Sequence, residues 1–434
     1  MLYGLNRLDP QLLGVLLILT GLLSAQGQTL VITGVTVIDV DSGERQSSVS
    51  VLIDGDRIAA VGRDVAIPPG AQSVNGDGKF LIPGLWDMHA HHQFAGAEAT
   101  DLFIANGVVG TRDMGADAEF IFPLRERIRS DEVLGPDIVL SGPIVDDAPP
   151  NFPFRLNVTN AEEARRAVLE LKELGVDFIK VHDHTPREVF FAVAEEAPKL
   201  GLTFAGHVPI AVTIQEASDA GIRSIEHLAN YRVFDECTTG DEYVAADCRA
   251  LFTELSASGV WQTPTMVFFE AIPDLFSGVP MEHSEFASDT LLAETQRNIT
   301  SSNLDARTLE LLRLAGRMSL EAIGDLHAEG SRFLAGCDGM VPGFCLHDEL
   351  QWFVKAGFSP LEALQTATIN PARFLERESS QGTVEAGKRA DLVLLDADPL
   401  VDVGNTRRIA AVVLGGKLID RDGIERILDS HRRP

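Results

Sequence analysis

Positive charge is what this chain has least of. Its 36 Lys and Arg face 64 Asp and Glu, a formal net charge of -28, and a surface of that sign repels phosphate backbones and anionic headgroups. Nucleic acid and anionic membrane surfaces are therefore excluded as partners. Cysteine is scarce too. Cys237, Cys248, Cys337 and Cys345 contain no close C-x-x-C pair, which argues against a cysteine-rich zinc knuckle. In an oxidising compartment they allow three disulfide pairings, of which Cys237 with Cys248 is favoured by its short separation. Long apolar runs are nearly absent. The one at residues 12–23 is short for a membrane-crossing helix, follows Arg7 and precedes the small-x-small pattern Ala25-Gln-Gly27. Residues 1–27 thus read as a signal peptide removed near Gln28, leaving an exported, periplasmic or extracellular protein with no stable membrane insertion; an uncleaved anchor is the alternative.

What is present falls into three blocks. Residues 28–80 come in short β-like pieces such as Leu30-Val-Ile-Thr and Val49-Ser-Val-Leu-Ile-Asp, with Asp54-Gly55 as a turn, and 376–434 repeat that character at 390–396 and 409–419. Two β-rich ends can pair into one small composite β-sandwich domain. Between them, 81–375 alternate strand-like and helix-like segments. Candidate strands are 81–88, 107–113, 138–141, 178–182, 203–207, 224–227, 261–265 and 333–338, and residues 161–174 carry apolar positions at helical spacing with Gly175 as the stop. Such an α/β alternation predicts a closed (β/α)8 TIM barrel, whose chemistry sits at the C-terminal ends of its strands. An open doubly wound sheet would not bring the first strand beside the last.

The densest signal is residues 81–92, Leu-Ile-Pro-Gly-Leu-Trp-Asp-Met-His-Ala-His-His. His89 and His91 lie two apart on a strand and share a face, so both imidazoles can address one ion. Lys180, His207, His227 and Asp338 each stand at or near the end of a later apolar run. The order His-x-His, Lys, His, His, Asp on successive strands resembles the metal-dependent amidohydrolase superfamily, in particular its binuclear members with a bridging lysine. The Ser224-Ile-Glu-His-Leu segment and the closeness of both histidines to Lys180 look like the imidazolonepropionase-related branch, which includes Xaa-Pro and Xaa-Arg/Lys dipeptidases and ochratoxin-type amidases. Imidazolonepropionases proper use one metal and no lysine carbamate, so Lys180 points away from that activity.

The resemblance implies a hydrolase barrel beside a composite domain built from both chain ends. It implies two divalent metal ions, with zinc expected from the histidine-rich set: His89 and His91 on one ion, His207 and His227 on the other. Asp338 would complete the first set and carry protons. Lys180, made neutral by burial beside two cations, would add carbon dioxide and bridge the ions as a carbamate. A metal-bridging hydroxide would attack the carbonyl of a dipeptide or N-acyl amino acid, and Asp338 would protonate the departing amine. Hydrolysis of an ester, lactone or phosphotriester on the same metal pair is the alternative, and a binding protein that has kept the fold is a third class.

Around that set, four residues carry weaker signals. Tyr231 either donates its hydroxyl to the oxyanion and contacts substrate or simply packs. Arg155, in the Pro-rich loop after the third strand, either holds a substrate carboxylate or is solvated. His182 and His184 are extra ligands or pocket walls, with walls favoured. The partner is a small-molecule substrate, and a homo-oligomer is left open.

Overall fold

Runs of β-branched residues punctuated by Gly and Asp give the start of the chain its strands. In the computed structural model, which describes residues 29–147, 154–230, 232, 237–239, 242–302 and 304–433, these are β1 (Leu30–Ile38), β2 (Arg45–Asp54), β3 (Arg57–Gly62), β4 (Gln72–Asn75) and β5 (Phe80–Pro83). The segment read as a leader and Tyr231 lie outside the described residues. The middle block follows with β6 (Leu85–Ala90), β7 (Val108–Asp113), β8 (Asp137–Leu140), β9 (Ile144–Asp146), β10 (Arg155–Asn157), β11 (Phe178–Val181), β12 (Thr203–Gly206), β13 (Ser224–Glu226), a small hairpin β14 (Thr238–Thr239) and β15 (Glu242–Tyr243), β16 (Trp261–Thr263) and β17 (Arg332–Phe333). The far end supplies β18 (Leu392–Leu395), β19 (Ile409–Leu414) and β20 (Lys417–Asp420).

Both chain ends meet in one sheet, ordered β20-β19-β18-β5-β1-β2-β3 with β4 beside β1. The predicted sandwich differs from this single hydrogen-bonded path. Its joint is β5, which pairs parallel with β1 and antiparallel with β18, so the backbone donors and acceptors of both ends are satisfied without a break between two sheets. Leu30, Val35, Val51, Leu81, Leu394 and Val413 form a separate apolar core there.

The barrel runs β6-β7-β8 and then β9-β11-β12-β13-β16-β17, all parallel. It closes where Met88 N donates to Ala335 O at 2.8 Å and Asp338 N to His89 O at 2.7 Å, which puts the last strand beside the first. Gly336 permits that approach: a Cβ there would lie 2.5 Å from the Cβ of His89. The third strand, predicted at 138–141, forms as β8, and a short continuation that the sequence does not announce follows it. β8 ends, Gly142 turns at φ 62°, and β9 resumes beside β11. The helix at Ala161–Leu174 forms as its periodicity predicts, burying Ala164, Ala167, Val168 and Leu171, capped by the Asn160 side chain and ended by Gly175 at φ 88°. Cys237 pairs with Cys248 and Cys337 with Cys345, with Cα atoms 4.8 and 5.8 Å apart. No helix among the described residues is long and apolar enough to cross a membrane.

His347 shows how burial couples the fold to pH. It sits in the helix Phe344–Lys355, where Nδ1 meets Thr406 Oγ1 at 2.9 Å and Nε2 meets Asn106 O at 3.1 Å. Burial, reinforced by Arg407, pushes its pKa down to about 3. An unfolded chain therefore takes up a proton below about pH 6.5 that the folded chain refuses until about pH 3, and stability drains away as pH falls through that window. At pH 5 the loss from this one group is about 2 kcal/mol. His347→Gln, which retains the donor to Asn106, is expected to lose less stability than wild type between pH 8 and pH 5 by roughly that amount. Urea midpoints at the two pH values measure it, and equal slopes for both proteins would remove His347 from the account.

Candidate active site

The C-terminal ends of the barrel strands bring six side chains to one place. His89 lies in β6 and His91 follows it directly, Lys180 lies in β11, His207 and His227 follow β12 and β13 directly, and Asp338 comes shortly after β17. The strands there are short and apolar, so each polar residue at a strand end meets the barrel mouth instead of the core.

Each of the four histidines has its Nδ1 engaged by another group. His89 Nδ1 faces Glu226 Oε2 at 2.8 Å, His91 Nδ1 faces Gly115 O at 3.1 Å, His207 Nδ1 faces Asp183 Oδ1 at 2.9 Å, and His227 Nδ1 faces Thr265 Oγ1 at 2.6 Å. Engaging Nδ1 fixes the ring and turns Nε2 toward the role of coordinating atom, the arrangement that protein groups behind metal-binding imidazoles impose. His89 Nε2 is buried with no hydrogen-bond partner. It and His91 Nε2 each stand 3.3 Å from Asp338 Oδ1, and His227 Nε2 stands 3.6 Å from Asp338 Oδ2. Two atoms bound about 2.0–2.1 Å from a tetrahedral ion are roughly 3.3–3.4 Å apart, so the spacing of His89, His91 and Asp338 fits a divalent metal. His207 and His227 meet edge to face with ring centroids 4.7 Å apart. A second group able to hold an ion is His182, Asp183 and His207.

Backbone strain marks the same spot. His227, Leu228 and Ala229 have φ of 58°, 51° and 56°, Thr265 has 51° and Asp338 has 54°. A left-handed conformation costs a residue with a Cβ about 1–2 kcal/mol. Such residues gather at sites where geometry matters more than stability.

Behind the histidines lies a buried charge network. Arg112, fully buried, donates to Glu226 at 2.9 Å, to Ser224 Oγ at 2.7 Å and to Met88 O at 2.6 Å. Burial alone would raise the Glu226 carboxyl, but Arg112 and His89 outweigh it and hold it ionised far below the usual carboxylate range. Burial opposes the Asp338 carboxylate too, and His89 and His227 overcome it, so Asp338 is an anion well below neutral pH. Lys180 is pushed down to about 8 by burial, against the pull of Glu226 and Asp338. Asp87 is raised to about 7 by burial while accepting the backbone N–H groups of His89 and Cys337 at 3.0 and 3.1 Å, tying the first strand to the last. Gly206 is required beside Lys180: with φ 141°, a Cβ there would meet Val181 O at 2.1 Å and the Lys180 Cδ at 3.1 Å.

Glu226→Gln is expected to leave Arg112 buried without its counter-charge and His89 without its carboxylate. Breaking such a pair costs about 3–5 kcal/mol, and losing the carboxylate behind a metal-binding imidazole weakens the metal roughly 10–100-fold. Chelator competition alongside urea unfolding separates the two effects. Metal retention equal to wild type would show that Glu226 serves stability alone.

The weaker candidates are placed as follows. Arg155 lies on β10, not on a solvated loop: its side chain is 9% exposed and its Nε is 3.2 Å from Asp146 Oδ2. His182 stacks on His207 with ring centroids 3.8 Å apart and belongs to the second group able to hold an ion, while His184 is exposed. Glu226, Asp183 and Thr265, which engage the Nδ1 atoms of His89, His207 and His227, and Arg112, which pairs with Glu226, are not marked by any motif. A signal existed for one of them, because a glutamate inside the apolar run Ser224-Ile-Glu-His-Leu needs a buried partner.

A model of the amidohydrolase family matches residues 80–419. The chain belongs to that family. Amidohydrolases generally depend on metal ions, and this protein is a hydrolase of carbon–nitrogen bonds. An imidazolonepropionase of Rubrobacter xylanophilus is 24% identical over 434 residues, covering 87% of this chain and 93% of that protein. Among solved structures, a Xaa-Pro dipeptidase with methionine bound in its active site gives a TM-score of 0.70 at 19% identity, covering 90% of this chain and 100% of the other. The ochratoxinase of A. niger gives 0.69 at 21% identity, covering 94% and 99%. At these identities the likeness to solved structures establishes the shared TIM-barrel-like fold of this amidohydrolase.

Proposed function

We infer that this amidohydrolase holds two divalent metal ions, zinc being the expected occupant, and hydrolyses the amide bond of a dipeptide or N-acyl amino acid. The observation that carries the reading is the convergence of His89, His91, His207 and His227, each with Nδ1 engaged, around Asp338 and the buried Lys180. His89, His91 and Asp338 would hold one ion, and His207 and His227 the other. Lys180, displaced toward its neutral amine by burial, would bond carbon dioxide through Nζ with loss of a proton, and the resulting carbamate would join the residues that hold the metals. When bound, the metals supply charge that polarises the amide carbonyl and makes water a competent nucleophile near neutral pH.

The chain's own groups do the rest. Asp338, an anion beside three imidazoles, takes the proton from the attacking water and returns it to the nitrogen of the departing amine. Amines leave poorly unless protonated, which is why an acid at this position suits an amide. Arg155, on the β10 side of the mouth, supplies positive charge toward which the terminal carboxylate of a departing amino acid would turn. The leader-like segment and the two disulfides support an exported enzyme.

A screen of the purified, metal-loaded protein tests this, with dipeptides and N-acyl amino acids set against esters, lactones and phosphotriesters. Cleavage of amides with free C-termini is expected. A preference for esters, lactones or phosphotriesters over every amide would overturn the substrate assignment, and equal cleavage of C-terminally amidated peptides would remove the carboxylate anchor alone.

A further inference from the structure

A cavity of about 430 Å³ opens beside Asp338, built mainly from the helices Met266–Phe276, Asp289–Ser302 and Ala306–Ala328 inserted between the last two barrel strands. Phe94, Phe268, Ile272, Leu275, Leu312 and Met340 line it, and Asp338 and Gly339 belong to its wall. The volume falls in the range of pockets that enclose small organic ligands. It is continuous with the candidate metal site through Asp338 and through Phe94, whose ring lies 5.2 Å from that of His91. Two features constrain what enters. The lining is predominantly apolar, and its ionisable members are Glu294 and Asp338, with no Lys, Arg or His among them. A substrate carboxylate is therefore repelled from this side.

The barrel order supplies the orientation. β16 and β17, between which the cavity helices are inserted, lie across the mouth from β9 and β11; Arg155 stands on β10 beside β9, and His182 directly after β11. A substrate spanning the mouth with its carboxylate toward Arg155 has its other end in the cavity. Resting on the amide-hydrolase reading above, we propose that this cavity is the acyl subsite and selects an uncharged, largely apolar acyl group, medium-chain aliphatic or aromatic, on the carbonyl side of the scissile bond. Small acyl groups leave it unfilled. Each methylene buried there is worth about fourfold in affinity.

The test uses N-acetyl-, N-hexanoyl- and N-decanoyl-L-alanine, with N-acetyl-L-phenylalanine to place the apolar group on the leaving side. Binding is measured calorimetrically on the metal-free full chain and kcat/KM on the metal-loaded one. At least about tenfold tighter binding of the decanoyl than of the acetyl compound is expected, with kcat/KM rising in the same order. Leu312→Glu, which adds a carboxylate to the lining away from the metal candidates, should abolish the gain and leave N-acetyl-L-alanine unaffected. Ile272→Ala, a milder change, should reduce it in part if the first variant fails to fold. Tighter binding of the decanoyl compound with no amide cleaved would support the cavity while defeating the hydrolase reading. Equal binding and equal kcat/KM along the acyl series would overturn the subsite and leave the hydrolase reading standing. A preference confined to N-acetyl-L-phenylalanine would overturn the orientation and, with it, the proposal.

Discussion

Asp338→Asn is expected to lower kcat by roughly 10²–10⁴, the range typical of a lost acid–base group, while substrate binding shifts far less. Asparagine matches the side chain in size but does not take up the proton that Asp338 is asked to carry, so the loss falls on turnover. The substitution is also gentle on the backbone. Asp338 adopts φ 54°, and asparagine enters the left-handed region more readily than other residues with a Cβ, so a misfolded loop is not the expected explanation of a dead variant. Removal of the negative charge has a second consequence. Asp338 Oδ1 lies 3.3 Å from both His89 and His91, and a neutral amide there holds a cation less tightly. The measurement is therefore kcat and KM at saturating metal, with metal content determined on the same sample. An unchanged kcat under those conditions would reject the proton-transfer role.

The parts of this site that were legible in the sequence share one property: they depend on local pattern. Period-two placement put His89 and His91 on one face, apolar runs ending in Lys180, His207, His227 and Asp338 marked strand ends, and Gly175 stopped its helix where the periodicity ran out. What escaped depends on which strands pair and on how the chain turns between them. Arg155 is neither solvated nor in a loop because Asp146, nine residues earlier on β9, pairs with it across adjacent parallel strands, and nothing in the intervening Pro-rich segment announces that pairing. Arg112 and Glu226, more than a hundred residues apart, are brought together only by barrel closure. The continuation of the third strand into β9 follows a left-handed turn at Gly142 that a propensity reading treats as an end. The single sheet formed by both chain ends depends on β5 finding β1 on one side and β18 on the other, a choice of partners that alternation alone does not encode.

Lys180→Ala should strip the site of metal as well as activity. A lysine that is 1% exposed, on a strand flanked by Phe178, Ile179 and Val181, is costly to keep unless its head group has a dedicated use. Burial favours the neutral amine, and Gly206 leaves room for its stem, so the chain spends packing freedom to place one nitrogen among His207, His227, Glu226 and Asp338. If that nitrogen carries a carbamate, its truncation removes two anionic oxygens at once, and metal content per chain should fall. The loss in kcat/KM is expected to exceed about 10²-fold, comparable to removing a principal electrostatic contributor. The truncation also leaves space beside the β11 strand end into which a small anion can diffuse. Added formate or acetate should therefore restore part of both metal content and rate. Lys180→Met supplies the control: it fills the space with an apolar chain, so carboxylate rescue should vanish. Full metal content in Lys180→Ala without any added carboxylate would show that the lysine is a structural residue and that the bridge is made by another group.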